Sequence, residues 1–224
     1  MKKHFICLAN SIKYRGRCLA GIEVSLDGAG RYTIARNEDE TPQWIRPVSR
    51  EKCGTLPESE TKNIVLFDII EIGTTRECPQ YAHSENVFYS YLKKSGKKSF
   101  QSEKHLNDLC NNVHPMLLFN GLKSISTDVF QQSGYSLAFI RASNCTFWKD
   151  ESDMFKDKFR VRFLYNNIEY VLPLTDPVFI HKLNVNGFDS INSAKHYYFT
   201  VSLSEEFKGW HYKLIAGIVE EPSL

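Results

Sequence analysis

A short polar segment near the N-terminus combines the residue types that bind phosphates and bases. Its alternating cations and the ring between them are Lys13, Arg15, Arg17 and Tyr14. Cations neutralise phosphates and an aromatic ring gives a base a surface to stack on, so the segment predicts a nucleic-acid contact. Asn10 and Ser11 extend it with side chains that can bind a phosphate or a base edge. The alternative is a solvated loop whose charges keep the protein soluble.

A tryptophan and an arginine two residues apart form a second candidate contact. On a strand, Trp44 and Arg46 project from one face while Ile45 projects from the other. The indole could stack on a base while the guanidinium binds a phosphate. The same pair also fits a tryptophan at a barrel rim, covered by the aliphatic stem of the arginine. Pro47 predicts that the strand ends there, near a loop, where ligands are often bound.

A basic stripe in the C-terminal half is the third candidate. Its cations alternate with apolar residues that we expect to turn inward, and they are Lys158, Arg160 and Arg162. Acids that could pair with the stripe precede it, namely Asp150, Glu151, Asp153 and Asp157. Exposed ion pairs contribute only about 0–1 kcal/mol, so a polyanion could still compete for these cations. Trp148 fits a core position and a contact position equally well.

Catalytic signatures are weak. The seven histidines have no spacing that places two on one helical face, and neither G-x-S-x-G nor a phosphate-binding glycine loop occurs. A metal-dependent nuclease using Asp68, Glu71 and Glu85 is an alternative, although a half-buried strand would turn the first two to opposite faces. We therefore predict no catalytic residue, no metal ligand and no cofactor, and a binding module rather than an enzyme.

Composition and cysteine usage indicate a soluble globular protein. The apolar fraction is 42% and the charged fraction is 24%, as in ordinary globular proteins. The formal net charge of +2 is too small to indicate a polyanion partner by itself. The six cysteines form no C-x-x-C pair, and no signal peptide or membrane-length apolar run is present. We expect reduced, mostly buried thiols, a cytoplasmic location and no membrane partner.

Strand patterns dominate the first half of the chain. Short apolar or alternating runs predict strands at 4–9, 18–24, 31–36, 43–46 and 63–72. Helical spacing follows, first in a stripe ended by Gly96 and formed by Val87, Phe88, Tyr91 and Leu92. A second helical stripe, with Ser102 as N-cap, is formed by Leu106, Leu109, Cys110 and Val113.

The second half repeats this organisation after a polar boundary at 131–134. Strands are predicted at 136–142, 159–165, 168–174, 197–203 and 210–219, with Asn166 and Asn167 forming a hairpin turn. Asp176 and Pro177 predict the start of a helix that runs through Leu183. A faint internal echo links the apolar segments 18–22 and 214–218. We predict a mainly β fold with a few helices (α+β): two OB-like Greek-key barrels in tandem, at residues 1–130 with a helical insert and at 131–224.

Three segments also resemble the signatures of the prokaryotic dual OB-containing domain family. They are the run from Cys7 to Gly21, the hexapeptide from Trp44 to Ser49, and the run from Phe67 to Glu71 followed by Pro79-Gln-Tyr and Glu85-Asn86. The resemblance is specific over residues 1 to about 90 and follows the order of elements beyond. It implies a pair of OB-like barrels, nucleic-acid binding and a link to prokaryotic conflict systems. It implies no catalytic residues.

These observations favour a module that binds DNA or RNA, in single-stranded or distorted form. An alternative is a nucleotide-sensing or protein-adaptor module that regulates a neighbouring enzyme, in which case a partner protein would occupy the surface. The nuclease alternative requires the three carboxylates to meet.

Overall fold

The computed structural model describes residues 1–13, 16–28, 31–50, 54–78, 83–97, 103–110, 115–132, 135–151, 158–189, 191 and 196–221. The contacts within it divide the chain into two compact units, Met1–Leu109 and Cys110–Leu224. Strands dominate both units, which confirms the mainly β prediction. The domain boundary at 131–134, with domains at 1–130 and 131–224, stays a prediction.

The first unit contains six strands and two short helices among its described residues. The strands are β1 (Lys2–Lys13), β2 (Gly16–Leu26), β3 (Tyr32–Ile34), β4 (Trp44–Val48), β5 (Asp68–Glu77) and β6 (Asn86–Lys97); the helices are α1 (Glu58–Thr61) and α2 (Glu103–Asp108). Five strands close into a barrel in the order β1-β2-β4-β6-β5, because β1 pairs with both β2 and β5. Among the described strands of this unit, β4 and β6 are the pair that runs parallel. This is a five-stranded Greek-key barrel of the OB type, as predicted.

Apolar side chains from all five barrel strands meet in the interior. The buried cluster consists of Phe5, Cys7, Leu19, Ile45, Leu56, Ile64, Ile70, Ile72 and Val87. Strands β1 and β2 approach so closely that a Cβ on Gly21 would lie 1.9 Å from the carbonyl oxygen of Ile6. A glycine is therefore required where these two strands pair.

The predicted helix at Val87 to Leu92 is wrong, because this segment is part of β6. It pairs with β5 on one side and β4 on the other, and Val87 is buried in the barrel. Register shifts interrupt the β5–β6 ladder at three places, so the apolar residues do not follow a simple alternation. The second predicted helix is confirmed in part as α2, with Leu106 and Leu109 buried. Ser102 and Val113 lie outside the described residues.

The second unit contains a curled six-stranded sheet in the order β10-β9-β8-β11-β12-β7. Its strands are β7 (Ser124–Ser126), β8 (Leu137–Asp150), β9 (Lys158–Tyr165), β10 (Ile168–Pro173), β11 (Tyr197–Leu203) and β12 (Trp210–Glu220); its helices are α3 (Thr127–Phe130) and α4 (Pro177–Asn186). A parallel bridge between Leu174 and Ile215 joins the end of β10 to β12. The order β8-β9-β10-β12-β11 therefore repeats the barrel order of the first unit.

Local sequence signals set the connections of the second unit. Asn166 and Asn167 have φ values of 48° and 63°, which confirms the hairpin turn between β9 and β10. The Oδ1 atom of Asp176 accepts hydrogen bonds from the backbone nitrogens of Val178 and Phe179, at 2.9 and 3.2 Å, and thus caps α4. Its Oδ2 atom accepts a third bond, of 3.0 Å, from the backbone nitrogen of Ile218 on β12. One buried carboxylate thus fixes the helix to the sheet.

Candidate nucleic-acid interface

The basic stripe lies on the outer face of β9, the second barrel strand of the second unit. Phe159, Val161 and Phe163 are buried, which confirms that they turn inward. The alternating cations Lys158, Arg160 and Arg162 therefore project outward, with successive cations about 7 Å apart along the strand. Arg162 is the most exposed of the three.

Neighbouring strands complete this face with an aromatic ring and small side chains. On β8, Trp148 lies directly opposite Arg160 and Thr146 lies opposite Arg162. Both alternate with buried residues, and Trp148 is half-buried while Thr146 is exposed. Directly opposite residues of an antiparallel pair share one face of the sheet. Trp148 and Arg160 are thus cross-strand neighbours on one face, an arrangement that can bind a base next to a phosphate.

Carboxylates lie beside Arg160 and Arg162 of this stripe. Asp150 accepts a hydrogen bond of 2.5 Å from Nε of Arg160, so the expected pairing with a preceding acid is confirmed at this position. Arg162 Nε lies 3.9 Å from Glu169 Oε1, and the two side chains are 57% and 59% exposed. Such an exposed pair contributes about 0–1 kcal/mol, and a phosphate can displace the carboxylate. Asp153 and Asp157 lie outside the described residues.

The N-terminal segment is the hairpin between β1 and β2 of the first unit. Tyr14 and Arg15 lie outside the described residues. The side-chain nitrogen of Asn10 donates to the carbonyl oxygens of Thr61 and Ile64, at 3.1 and 2.8 Å. This amide therefore holds the segment around helix α1 against the barrel.

The other described residues of that segment are not fully exposed to solvent either. Ser11 is buried and Lys13 is half-buried. Arg17 donates to Glu58 Oε1 at 2.9 Å. The role of all these residues as nucleic-acid contacts stays a prediction.

Trp44 and Arg46 differ in their exposure to solvent. Trp44 is half-buried at the start of β4, whereas Arg46 is buried. Nε of Arg46 donates to Oδ1 of Asn86 at 2.7 Å, and its Nη2 donates to Oε1 of Glu85 at 2.5 Å and to Nδ1 of His83. This network ties β4 to the residues that open β6. The arginine therefore has a structural role, and its role as a phosphate contact stays a prediction.

The three carboxylates of the nuclease alternative bind different cations. Asp68 is buried beside Lys94 at 2.9 Å, Glu71 pairs with Lys2 at 2.8 Å, and Glu85 binds the buried arginine of β4. Hydrogen bonding to Lys2 lowers the pKa of Glu71. Across the described part of the chain, no group of three potential metal ligands is assembled.

The cysteines of the described residues are free thiols. Cys7, Cys110 and Cys145 are buried, while Cys18 and Cys78 are half-buried. Burial raises the pKa of Cys110 and that of Cys145 to about 12, which keeps both protonated and poorly nucleophilic. Cys53 lies outside the described residues.

A fully buried lysine holds an irregular segment of the second unit. Nζ of Lys213 donates to the carbonyl oxygens of Leu117 and Asn120, both at 2.6 Å, and to Oδ1 of Asn120 at 2.8 Å. The ammonium also lies 5.3 Å from the ring centroid of Tyr170. Burial lowers the pKa of this lysine to about 7. The segment that it holds contains Leu118 and Phe119, which both have positive φ.

Comparison with known proteins agrees with this architecture. A model of the dual OB-containing domain family matches residues 3–218. The chain belongs to this family. No curated protein matches it. The family therefore establishes the two-barrel fold that the N-terminal signatures predicted.

Two solved structures with low sequence identity are also similar. One is a replication protein A heterotrimer bound to ssDNA, with a TM-score of 0.37 and 7% identity; the match covers 100% of this chain and 49% of that one, so this chain spans about half of it. The other is the p204 HINb domain, with a TM-score of 0.32, 8% identity and 96% coverage of both chains. Among the described residues, none of the helices is long and apolar enough to cross a membrane.

Sequence reasoning missed the position of Trp148 on the candidate face. The predicted strand ended at residue 142, whereas β8 continues to Asp150. Buried Cys145 and Phe147 alternate with Thr146 and Trp148, and this period of two is the signal that could have extended the strand.

Proposed function

We propose that this member of the dual OB-containing domain family binds single-stranded nucleic acid on the outer face of β8, β9 and β10. The observation that carries the proposal is the pairing of Trp148 with Arg160 in the middle of the stripe from Lys158 to Arg162. The ring can stack on an unpaired base, and the cations can neutralise phosphates on either side. Stacking on a ring needs an unstacked base, which favours single strands over duplexes.

The first unit contributes the matching face of its own barrel. In an OB-fold, the second and third strands and the loops beside them bind oligonucleotides. In this unit those strands are β2 and β4, with Trp44 at the start of β4. The predicted contacts Asn10, Ser11, Lys13 and Arg17 lie on the paired strands β1 and β2. A function in a prokaryotic conflict system and a cytoplasmic location stay predictions from the sequence.

A salt titration with charge-removing variants tests the proposal. The double variant Lys158→Ala/Arg162→Ala is expected to weaken binding of a fluorescent oligothymidylate and to reduce the slope of log K against log salt by about 0.7 per lost phosphate contact. Lys182→Ala is the matched control, because it removes a partly exposed cation of the same unit that lies on helix α4 and pairs with Glu220. Affinity of the wild-type protein that does not change with salt would contradict the proposal.

Two further measurements address the alternatives. A thermal-shift screen with nucleotides detects a small-molecule sensor, because a ligand that binds the folded state raises the unfolding temperature. Incubation of labelled DNA and RNA with magnesium or manganese detects a nuclease. Stabilisation by a nucleotide without oligonucleotide binding would favour the sensor, and cleavage would favour the enzyme.

A further inference from the structure

A hairpin of the second unit exposes large aromatic side chains to solvent. Phe207 is 60% exposed, Trp210 is 43% exposed and Tyr212 is 37% exposed. Trp210 and Tyr212 alternate on β12 with the buried residues His211 and Lys213, so both rings turn outward. Large apolar side chains grouped on a surface typically mark a binding site.

The turn of this hairpin has a defined backbone conformation. Phe207 and Trp210 exchange backbone hydrogen bonds of 2.8 and 3.2 Å across a two-residue loop. The loop residues Lys208 and Gly209 have φ values of 53° and 82°, as a tight turn of the primed type requires. A preformed turn lowers the entropic cost of binding, because the backbone that carries the rings need not be ordered when a ligand arrives.

The surroundings of the rings suit a base with its phosphate. The ammonium of Lys208 lies over the Phe207 ring, 5.4 Å from its centroid, so a cation covers one face of this ring and could bind a phosphate there. On β7, the small residues Ser124 and Ser126 lie opposite Tyr212 and Trp210 and leave the rings uncovered. The acids Glu205 and Glu206 precede Phe207, so we expect a phosphate on the Lys208 side of the turn.

We propose that Phe207, Trp210 and Tyr212 form a second stacking site, which takes unpaired bases of a single-stranded nucleic acid. This inference rests on the proposed function and extends it beyond the basic face. The hairpin joins β11 and β12, the fourth and fifth barrel strands of this unit along the chain, and the loop at that position flanks the binding face in OB-folds. The site would read the flat faces of bases, so its sequence preference would be weak.

Fluorine NMR separates this inference from the proposed function. The chain has three tryptophans, and 5-fluorotryptophan labelling gives each a resonance that Trp44→Phe, Trp148→Phe and Trp210→Phe assign. An oligothymidylate of about 12 nucleotides is within the range that an OB barrel binds. We expect it to shift the Trp210 resonance, and an abasic oligonucleotide of equal length and charge to shift it much less.

Affinity measurements provide the second readout. The variant Phe207→Ser/Trp210→Ser is expected to bind the oligothymidylate at least about tenfold more weakly, whereas Trp210→Phe retains most of the affinity because a ring remains. Val178→Ser/Val185→Ser is the matched control, since these exposed apolar side chains lie on helix α4 of the same unit.

The possible results have distinct meanings. A shifted Trp148 resonance with an unchanged Trp210 resonance and unchanged affinity of the serine variant would overturn this inference and leave the proposed function standing. A shifted Trp210 resonance with an unchanged Trp148 resonance would support the stacking site on the hairpin and refute binding on the face of β8, β9 and β10. Self-association of the wild-type protein that the serine variant abolishes would also overturn the inference. Absence of any oligonucleotide binding would overturn both proposals.

Discussion

Replacing Lys213 with methionine tests how the second unit tolerates a fully buried ammonium. The variant keeps the length of the side chain and removes its charge and its three hydrogen bonds to Leu117 and Asn120. Burial lowers the pKa of the lysine from its ordinary value of 10.5 to about 7. The three oxygen acceptors favour the charged form. The experiment therefore measures whether burial, which lowers the pKa, outweighs these hydrogen bonds, which raise it.

The sign of the pH dependence follows from proton binding. Between pH 7 and pH 10.5, the unfolded lysine is protonated while the folded lysine has released its proton. The unfolded state then binds more protons, so the free energy of unfolding rises with pH, by up to about 1.4 kcal/mol per pH unit. Below pH 7 both states are protonated, and this contribution no longer changes.

Urea unfolding of both proteins under reducing conditions gives the required difference. Contributions from other titrating groups largely cancel between wild type and Lys213→Met. The wild-type free energy of unfolding, minus that of the variant, is expected to increase by about 2 kcal/mol from about pH 7.5 to about pH 9. A difference that stays flat over this range would refute the argument, because it would show that the carbonyl oxygens keep the pKa near its ordinary value.

Two buried polar groups lead to further predictions. Asp176→Ala removes the cap of helix α4 and its bond to β12 and is expected to lower the free energy of unfolding by about 1–3 kcal/mol, while the exposed control Asp189→Ala changes it by less than about 0.5 kcal/mol. If Asp176→Ala and Asp189→Ala lowered the stability equally in thermal unfolding, the result would contradict the capping argument. Arg46→Met leaves Glu85 buried without its cation, at a cost of about 3–5 kcal/mol. The double variant Arg46→Met/Glu85→Gln should be more stable than Arg46→Met alone, and a less stable double variant would contradict the ion-pair argument.

Most of the fold could be predicted because its signals are local. The asparagine pair at 166–167, the cap at Asp176 and the alternating strand β9 each depend on a few adjacent residues. The apolar spacing from Val87 to Leu92 predicts a helix, because bulges in the β5–β6 ladder disturb the alternation that marks a strand. Pairing with two strands distant in sequence makes this segment part of β6.

The internal echo illustrates how sequence similarity can mislead about topology. The segment 18–22 lies in β2, the second barrel strand of the first unit along the chain, whereas 214–218 lies in β12, the fifth barrel strand of the second unit along the chain. The two units nevertheless share the same strand order. The common strand order is therefore evident from the pairing of the strands. The similarity between the segments 18–22 and 214–218 does not reveal it.

Burial decides which of the predicted cations can meet a ligand, and burial depends on partners remote in sequence. Arg46 and Arg162 both lie on strands of the expected binding faces, and each follows a neighbour that turns inward. Arg46 is enclosed by groups that are 37 to 40 positions away along the chain, which spacing rules cannot identify. Arg162 faces one exposed carboxylate and remains accessible to a phosphate. We therefore expect Arg162→Ala to lower the affinity for a nucleic acid and to reduce the salt dependence of binding. Arg46→Met is expected to lower mainly the free energy of unfolding.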